Sequence, residues 1–374
     1  MSMVYSQDEQ MLADTAAEFL AAQSPVSAQR KLRDEQVTLG FDAQIWQTMA
    51  ELGWGAIPFP EAKGGLEFGY KGMGAVFQEL GRHLSASPML SSVVLCGSLI
   101  EKLGSEAQQD SWLNALMYGE QRMALALEEH HRFDLDRIAS AAAKSGEGYQ
   151  LTGTKALVFD GLEADAYLVA ARFPQSNRLG LFIVNANAAG LNVRNTGLVD
   201  SRNNAALELM QVNAELLGSG EEVKALLEQV IDSARACLAA EMLGACEALF
   251  QMTTDYLKTR KQFDVQIGTF QALQHRAAAC FVELELAKSA VINALAAIDK
   301  APGSKETASA IALAKWKVGV MADKVTGEAV QMHGGIGVTD ELDVGLYLKR
   351  IRVAQMALGD SDYMVSRYHQ LTQE

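Results

Sequence analysis

Two short segments of the chain combine residue types that bind phosphate groups. The first runs from Arg260 to Gln271 (RKQFDVQIGTFQ), and the second, sixty residues later, runs from Gln331 to Gly335 (QMHGG). The permanent charge and forked donors of an arginine match a pyrophosphate, and consecutive glycines let backbone N–H groups approach phosphate or ribose. The alternatives are a surface Arg-Lys pair that ends a helix and a glycine cap after a helix. In series, the two segments favour binding of a phosphate-bearing ligand.

Two carboxylates are candidates for a general base. Glu241 and Glu247 are the only charged residues in the stretch 236–250, and a lone carboxylate in apolar surroundings has a raised pKa, which suits proton abstraction. The alternatives for Glu241 are a buried ion pair with a neighbouring helix and a contact with a polar part of a bound substrate. Asp360 is the second candidate, and its alternative is a helix N-cap that it or Ser361 provides.

Three blocks of secondary structure must position these residues. Residues 1–120 predict an all-α domain, whose first helix opens with the capping-box spacing Ser6 to Glu9. Residues 121–220 contain short strand-like runs separated by turn residues, which favours a small β-barrel or sandwich. Residues 221–374 predict long helices with few breakers, typical of an antiparallel four-helix bundle. The predicted fold class is α+β.

Composition limits the function classes. The 374 residues carry a net charge of −14, which argues against a nucleic-acid partner, and 49% of them are hydrophobic, as in an ordinary globular protein. The four cysteines are far apart, and the sequence has no signal-peptide pattern and no apolar run long enough to span a membrane. We therefore expect reduced thiols and a cytoplasmic protein. The pair His130-His131 lacks further ligands at suitable spacing, so we expect no metal site.

The two phosphate-binding segments resemble the flavin-anchoring signature of the acyl-CoA dehydrogenase family. Shorter pieces in the first half, at 53–60, 77–81 and 103–120, also look like that family, so the resemblance covers essentially the whole chain. It implies a flavin adenine dinucleotide (FAD) shared between neighbouring subunits of a homotetramer or of a heterotetramer with a related chain. The residues that would contact the cofactor are Arg260, Gln262, Phe263, Gln271, Gln331, Gly334 and Gly335.

The resemblance also implies a reaction, and the chain departs from the pattern at its centre. Family members remove an α-proton from an acyl-CoA while the β-hydride passes to the flavin, so they need a carboxylate base. The usual base position holds Leu358, and the alternative position on the first bundle helix holds Ala234. Asp232 and Arg235 match positions that contact substrate or order the site. The backbone N–H at Leu358 remains available to a thioester oxyanion.

A second departure lies in the β-domain. The family loop Glu-Pro-x-x-Gly-Ser-Asp corresponds here to the segment 128–134 (EEHHRFD), and the family's tryptophan and hydroxyl positions hold Leu157 and Phe159. Either the flavin ring sits differently in this chain, or the β-domain does not seat one.

Two functional classes follow from the resemblance. The first is an enzyme that oxidises an acyl-CoA to its α,β-unsaturated form, similar to the small or partner subunits of bacterial heteromeric acyl-CoA dehydrogenases. A related chain would then supply the base, and an electron-transfer flavoprotein would be the acceptor. The second is a non-catalytic scaffold with the same fold. The two classes differ in bound flavin, because a scaffold stays colourless with every partner.

Overall fold

The computed structural model describes residues 5–130, 132–219 and 221–373. Its α-helices are α1 (Gln7–Gln23), α2 (Val26–Asp34), α3 (Ala43–Glu51), α4 (Gly69–Arg82), α5 (Ser98–Leu103), α6 (Glu106–Met117), α7 (Glu221–Thr259), α8 (Gln271–Lys300), α9 (Lys305–His333), α10 (Val344–Met356) and α11 (Ser361–Thr372). A π-helix, Met89–Gly97, precedes α5. The capping box read from the sequence opens α1, where Ser6 and Glu9 exchange side-chain and backbone hydrogen bonds.

The strands form one mixed sheet and one hairpin. The sheet contains β1 (Met123–Ala126), β2 (Ala141–Ser145), β3 (Gly148–Phe159), β4 (Ala166–Arg172), β5 (Leu179–Asn185), β6 (Leu191–Asn195) and β7 (Asn204–Ser219), and the hairpin contains β8 (Lys261–Gln262) and β9 (Val265–Gln266). The strand order is β1-β4-β2-β3-β7-β5, with β6 on β7, and β4 also pairs with β5. That last pairing closes β4, β2, β3, β7 and β5 into a small barrel, with β1 and β6 each paired on one side.

The chain divides into two compact units. The bundle unit combines the chain up to Arg30 with Tyr70–Ser85 and the chain from Arg235 onward, and the barrel unit combines Lys31–Gly69 with Ala86–Ala234. Helix α7 begins in the barrel unit and continues in the bundle unit. The succession of helical, β and helical regions confirms the predicted fold class. The predicted domain boundaries, 1–120, 121–220 and 221–374, follow the sequence rather than these units and remain a prediction.

The core of the barrel unit is the interior of its sheet. Its fully buried members include Leu151, Tyr167, Phe182 and Val212. Strands β4 and β5 are buried over nearly their whole length, so their sequences are continuous apolar runs rather than alternating ones.

Two glycines let helices of the bundle unit approach backbone to backbone. A Cβ added to Gly81 on α4 would lie 1.9 Å from the Glu241 carbonyl oxygen, and one added to Gly244 on α7 would lie 1.8 Å from the Gln78 carbonyl oxygen. Larger side chains would push α4 and α7 apart. This close packing fixes the part of α7 that carries Glu241.

No helix in the described part of the chain is long and apolar enough to cross a membrane. Among the same residues there is no group of three or more His, Cys, Asp or Glu side chains that could hold a metal. His131 lies outside the described residues. The four cysteines are buried and free.

Candidate functional site

The first candidate phosphate-binding segment, 260–271, begins with a short hairpin at the end of α7. Arg260 closes the helix through its N–H, which donates to the Tyr256 carbonyl at 2.8 Å, and its own carbonyl accepts from Ile267 N–H at 2.9 Å. The turn residues Phe263 and Asp264 both have positive φ, 55° and 64°, which is the backbone of a tight two-residue turn. Phe263 is 85% exposed and its ring meets Phe270 edge to face. The hairpin therefore presents Arg260, Gln262 and Phe263 on the protein surface.

A small apolar cluster brings the second phosphate-binding segment against this hairpin. Leu257, Ile267 and Met332 pack together, so the end of α7, the hairpin and the end of α9 share one core. The Tyr256 and His333 rings add a contact with centroids 4.5 Å apart. The two segments that the sequence separates by sixty residues are therefore neighbours in one chain.

The polar groups of both segments remain accessible. Gln271 is the first residue of α8 and is exposed, as are Arg260 and Gln331. Gly334 has a φ of 65°, and a Cβ placed on Gly334 or Gly335 would meet no atom within 4 Å. Open space beside exposed donors fits the phosphates and adenosine of a dinucleotide that binds on the surface of this chain.

The loop at the family's base position is held by two buried cations. Leu358 is 3% exposed with a φ of 57°, and its carbonyl accepts a 2.8 Å hydrogen bond from Arg235 Nε. Lys315 Nζ donates to the carbonyls of Gly359, at 2.8 Å, and Gln355, at 3.0 Å. The acceptors of these hydrogen bonds are backbone carbonyls, so the bonds themselves do not depend on the side chain at position 358.

Arg235 and Asp232, the predicted substrate-contacting residues, are both buried. Arg235 is 1% exposed and Asp232 is 5% exposed. The Arg235 guanidinium also lies over the Tyr363 ring, 5.0 Å from its centroid, a cation–π contact that adds to the hydrogen bond with Leu358. Their role toward substrate stays a prediction.

Both candidate bases make the contacts that their alternatives require. The Glu241 carboxylate is 3% exposed and binds Arg350 with two 2.7 Å hydrogen bonds, from Nε and NH2. Asp360 accepts from Tyr363 N–H at 2.9 Å as the N-cap of α11. A bidentate ion pair stabilises a carboxylate in its charged form and occupies its lone pairs. The base assignments remain predictions, and this geometry favours the structural alternative for each.

Glu247, the other charge in the apolar stretch of α7, lines a cavity of about 670 Å³ in the bundle unit. It accepts from Arg82 NH2 at 2.5 Å and from Gln78 Nε2 at 2.8 Å. Burial raises the pKa of the neighbouring Glu79, against the opposing effect of Arg82. Each of the two isolated glutamates of α7 is thus paired with an arginine.

In the barrel unit, the family's tryptophan and hydroxyl positions hold Leu157 and Phe159, whose side chains have no donors. Leu157 and Phe159 are half-buried, and the backbone at Leu157 pairs with Glu128 instead of β7. The adjacent Lys155 is fully buried and binds Glu129 at 2.7 Å. Burial lowers the pKa of Lys155 to about 8, although the Glu129 carboxylate acts in the opposite direction.

The fit to FAD therefore differs between the two units. The exposed arginine, amides and open glycines of the bundle unit suit the phosphates and adenosine, whereas the apolar side chains of the barrel unit do not suit the polar edge of a flavin ring. Sequence reasoning missed Lys315 and Arg350. Lys315 had a signal, because it is the only charge between Thr307 and Trp316 in a helical pattern.

Comparison with known proteins agrees with the whole architecture. Residues 6–120 match the N-terminal domain of acyl-CoA dehydrogenases, and residues 224–370 match the C-terminal domain. Acyl-CoA dehydrogenase FadE27 of Mycobacterium tuberculosis is 30% identical over 335 residues, 87% of each chain. The ChsE4-ChsE5 complex of Mycobacterium tuberculosis is 27% identical with a TM-score of 0.87, covering 99% of this chain and 98% of that one. The Tcur3481-Tcur3483 steroid ACAD is 29% identical with a TM-score of 0.87, covering 98% and 97%.

Fold and site together define a flavoprotein-type oxidoreductase. The chain belongs to the acyl-CoA dehydrogenase family. Membership assigns the reaction class, FAD-dependent α,β-dehydrogenation of an acyl-CoA thioester.

Proposed function

We propose that this chain is one subunit of a heteromeric acyl-CoA dehydrogenase whose related partner chain supplies the catalytic base. The observation that carries this proposal is the loop at Leu358: its backbone is held by Arg235 and Lys315, while its side chain cannot accept a proton. The candidates within the chain, Glu241 and Asp360, are engaged by Arg350 and by a helix N-terminus.

The exposed residues of the bundle unit support the same proposal. Arg260 and the open glycines Gly334 and Gly335 offer donors to a ligand that this chain does not itself enclose. In the proposed assembly they bind the FAD of the partner chain, together with Gln262, Phe263, Gln271 and Gln331. That FAD supplies the hydride acceptor. We further propose that Asp232 and Arg235 order an acyl-CoA site and that an electron-transfer flavoprotein reoxidises the complex.

Solved structures similar to this chain provide a precedent for two different chains. ChsE4-ChsE5 is named as a complex, and the Tcur3481-Tcur3483 steroid ACAD is named for two chains. This chain is 27% identical to the first and 29% identical to the second, and both similarities support an assembly of two different chains.

The test compares the chain produced alone with the tagged chain purified from its native host. We expect little flavin on the chain alone, and a second acyl-CoA dehydrogenase chain together with FAD on the native preparation, identified by mass spectrometry and visible absorption. Arg260→Ala should lower flavin content, whereas Lys258→Ala, which removes an exposed charge two residues away, should not. Stoichiometric flavin and turnover in the chain alone would contradict the proposal. A colourless native complex would indicate a scaffold.

A further inference from the structure

The strand segment at the family's flavin-ring position leaves the barrel ladder. In the pairing of β3 with β7, Lys155 faces Leu207 and Val158 faces Ala205, so β3 contains one extra residue in a bulge. Ala156 N–H donates to the Glu128 carbonyl at 2.7 Å. The backbone donor of Ala156, next to Leu157, is therefore already used by the chain's own loop.

A buried ion pair clamps that loop onto the strand. Lys155 Nζ binds Glu129 Oε1 at 2.7 Å, the Ala170 carbonyl at 2.6 Å and the Leu127 carbonyl at 3.2 Å. Glu129 Oε1 also accepts from Ser140 Oγ at 2.6 Å. Because every bond is internal, the segment needs no ligand to be ordered.

Three positions that seat the flavin ring in the family hold hydrocarbon side chains in this chain. Leu157 and Phe159 are half-buried, and Phe133, at the serine position of the family loop, is 7% exposed. A flavin ring carries carbonyl oxygens and ring nitrogens along its edge, and burying them against hydrocarbon without hydrogen bonds is unfavourable. Leu157, Phe159 and Phe133 thus offer no side-chain donors to a flavin ring.

We infer that the barrel unit of this chain seats no flavin, and that Leu157, Phe159 and Phe133 take the place of a ring-binding site. This inference rests on the proposed function, because FAD then binds only in the partner's β-domain, with Arg260 of this chain against it. A complex of equal numbers of the two chains holds about one FAD for every two polypeptides, since one of two equivalent sites is lost.

The flavin content of the native complex tests whether the bundle unit of this chain, but not its barrel unit, contributes to FAD binding. Leu157→Lys places a charge at the ring position beside Glu128 and should leave the FAD-to-protein ratio unchanged. Arg260→Ala should weaken FAD retention at least about tenfold, the loss expected for a charge-assisted hydrogen bond. Circular dichroism and subunit composition verify that each variant complex is intact. If Leu157→Lys does not fold, Phe159→Thr serves instead, and it too should leave the ratio unchanged.

The outcomes separate this inference from the proposed function. One FAD per polypeptide in an intact two-chain complex would overturn the inference and leave the proposed function standing. Loss of FAD in Leu157→Lys or in Phe159→Thr, with an intact complex, would overturn it as well. Absence of a second chain, with flavin bound to this chain alone, would refute both the proposed function and this inference.

Discussion

The bundle unit and the barrel unit treat the family's cofactor-binding positions in opposite ways. In the bundle unit, Arg260, Gln271 and Gln331 are exposed and flank open space at two glycines. In the barrel unit, Leu157 and Phe159 are half-buried, and the neighbouring polar groups, Lys155 and Glu129, bind each other. One unit offers donors outward, and the other satisfies its donors internally.

The difference lies in how each unit satisfies its polar groups. Exposed arginine and glutamine side chains contribute little to folding, so replacing them should change the stability of the bundle unit little. Buried polar groups must be paired for stability, whatever the function. Variants that remove buried polar pairs from each unit therefore measure how much those pairs stabilise the fold.

The largest expected effect is in the bundle unit, at the Glu241–Arg350 pair. Glu241→Gln leaves a buried arginine without its carboxylate and should cost about 3–5 kcal/mol in the free energy of unfolding, measured by urea denaturation. The double substitution of Glu241 and Arg350 to Met should recover much of that loss, since it removes both charges. Loss of dehydrogenase activity without loss of stability would instead support Glu241 as the base.

Lys315→Met should have the next largest effect. The substitution leaves the carbonyls of Gln355 and Gly359 without a buried donor, which costs about 1–3 kcal/mol. Hydrogen-exchange mass spectrometry should show faster exchange in residues 355–361, and Lys315→Arg should partly restore protection. Lys317 is on the same helix as Lys315 and pairs with Glu283 of α8. Lys317→Met is therefore the matched control, and it should lower the free energy of unfolding by less than about 1 kcal/mol. Equal exchange in both Met variants would exclude the loop-holding role.

The smallest effect is a pH dependence in the barrel unit. Because burial lowers the pKa of Lys155 to about 8, the unfolded chain binds more protons than the folded chain above that pH, and stability should rise with pH. Between pH 8 and 9.5 the wild type should gain about 1–2 kcal/mol relative to Lys155→Met, whose side chain cannot titrate. Parallel stability curves for the two proteins would show that Lys155 keeps an ordinary pKa.

Sequence patterns predicted the fold and the grouping of residues better than they predicted the roles of single carboxylates. Helical periodicity and turn residues gave the succession of helices and barrel, and the resemblance linked the Arg260 and Gln331 segments. The partner of Glu241 could not be predicted, because Arg350 lies 109 residues away and no local pattern connects them. The N-cap at Asp360 was one of two alternatives, and the cap is a local interaction that sequence can describe. Lys315 escaped notice because the backbone carbonyls it binds have no signature in the sequence.

The positive φ of Leu358 has a consequence for protein engineering. A leucine in this left-handed conformation costs roughly 1–2 kcal/mol compared with an ordinary backbone, yet the cation-bound carbonyls hold it there. The loop therefore keeps its shape through its main chain, while the buried side chain at position 358 must still fit its surroundings. A designer who wants a new functional group at this position starts from a backbone that is already fixed, and must choose a side chain that fits the buried space.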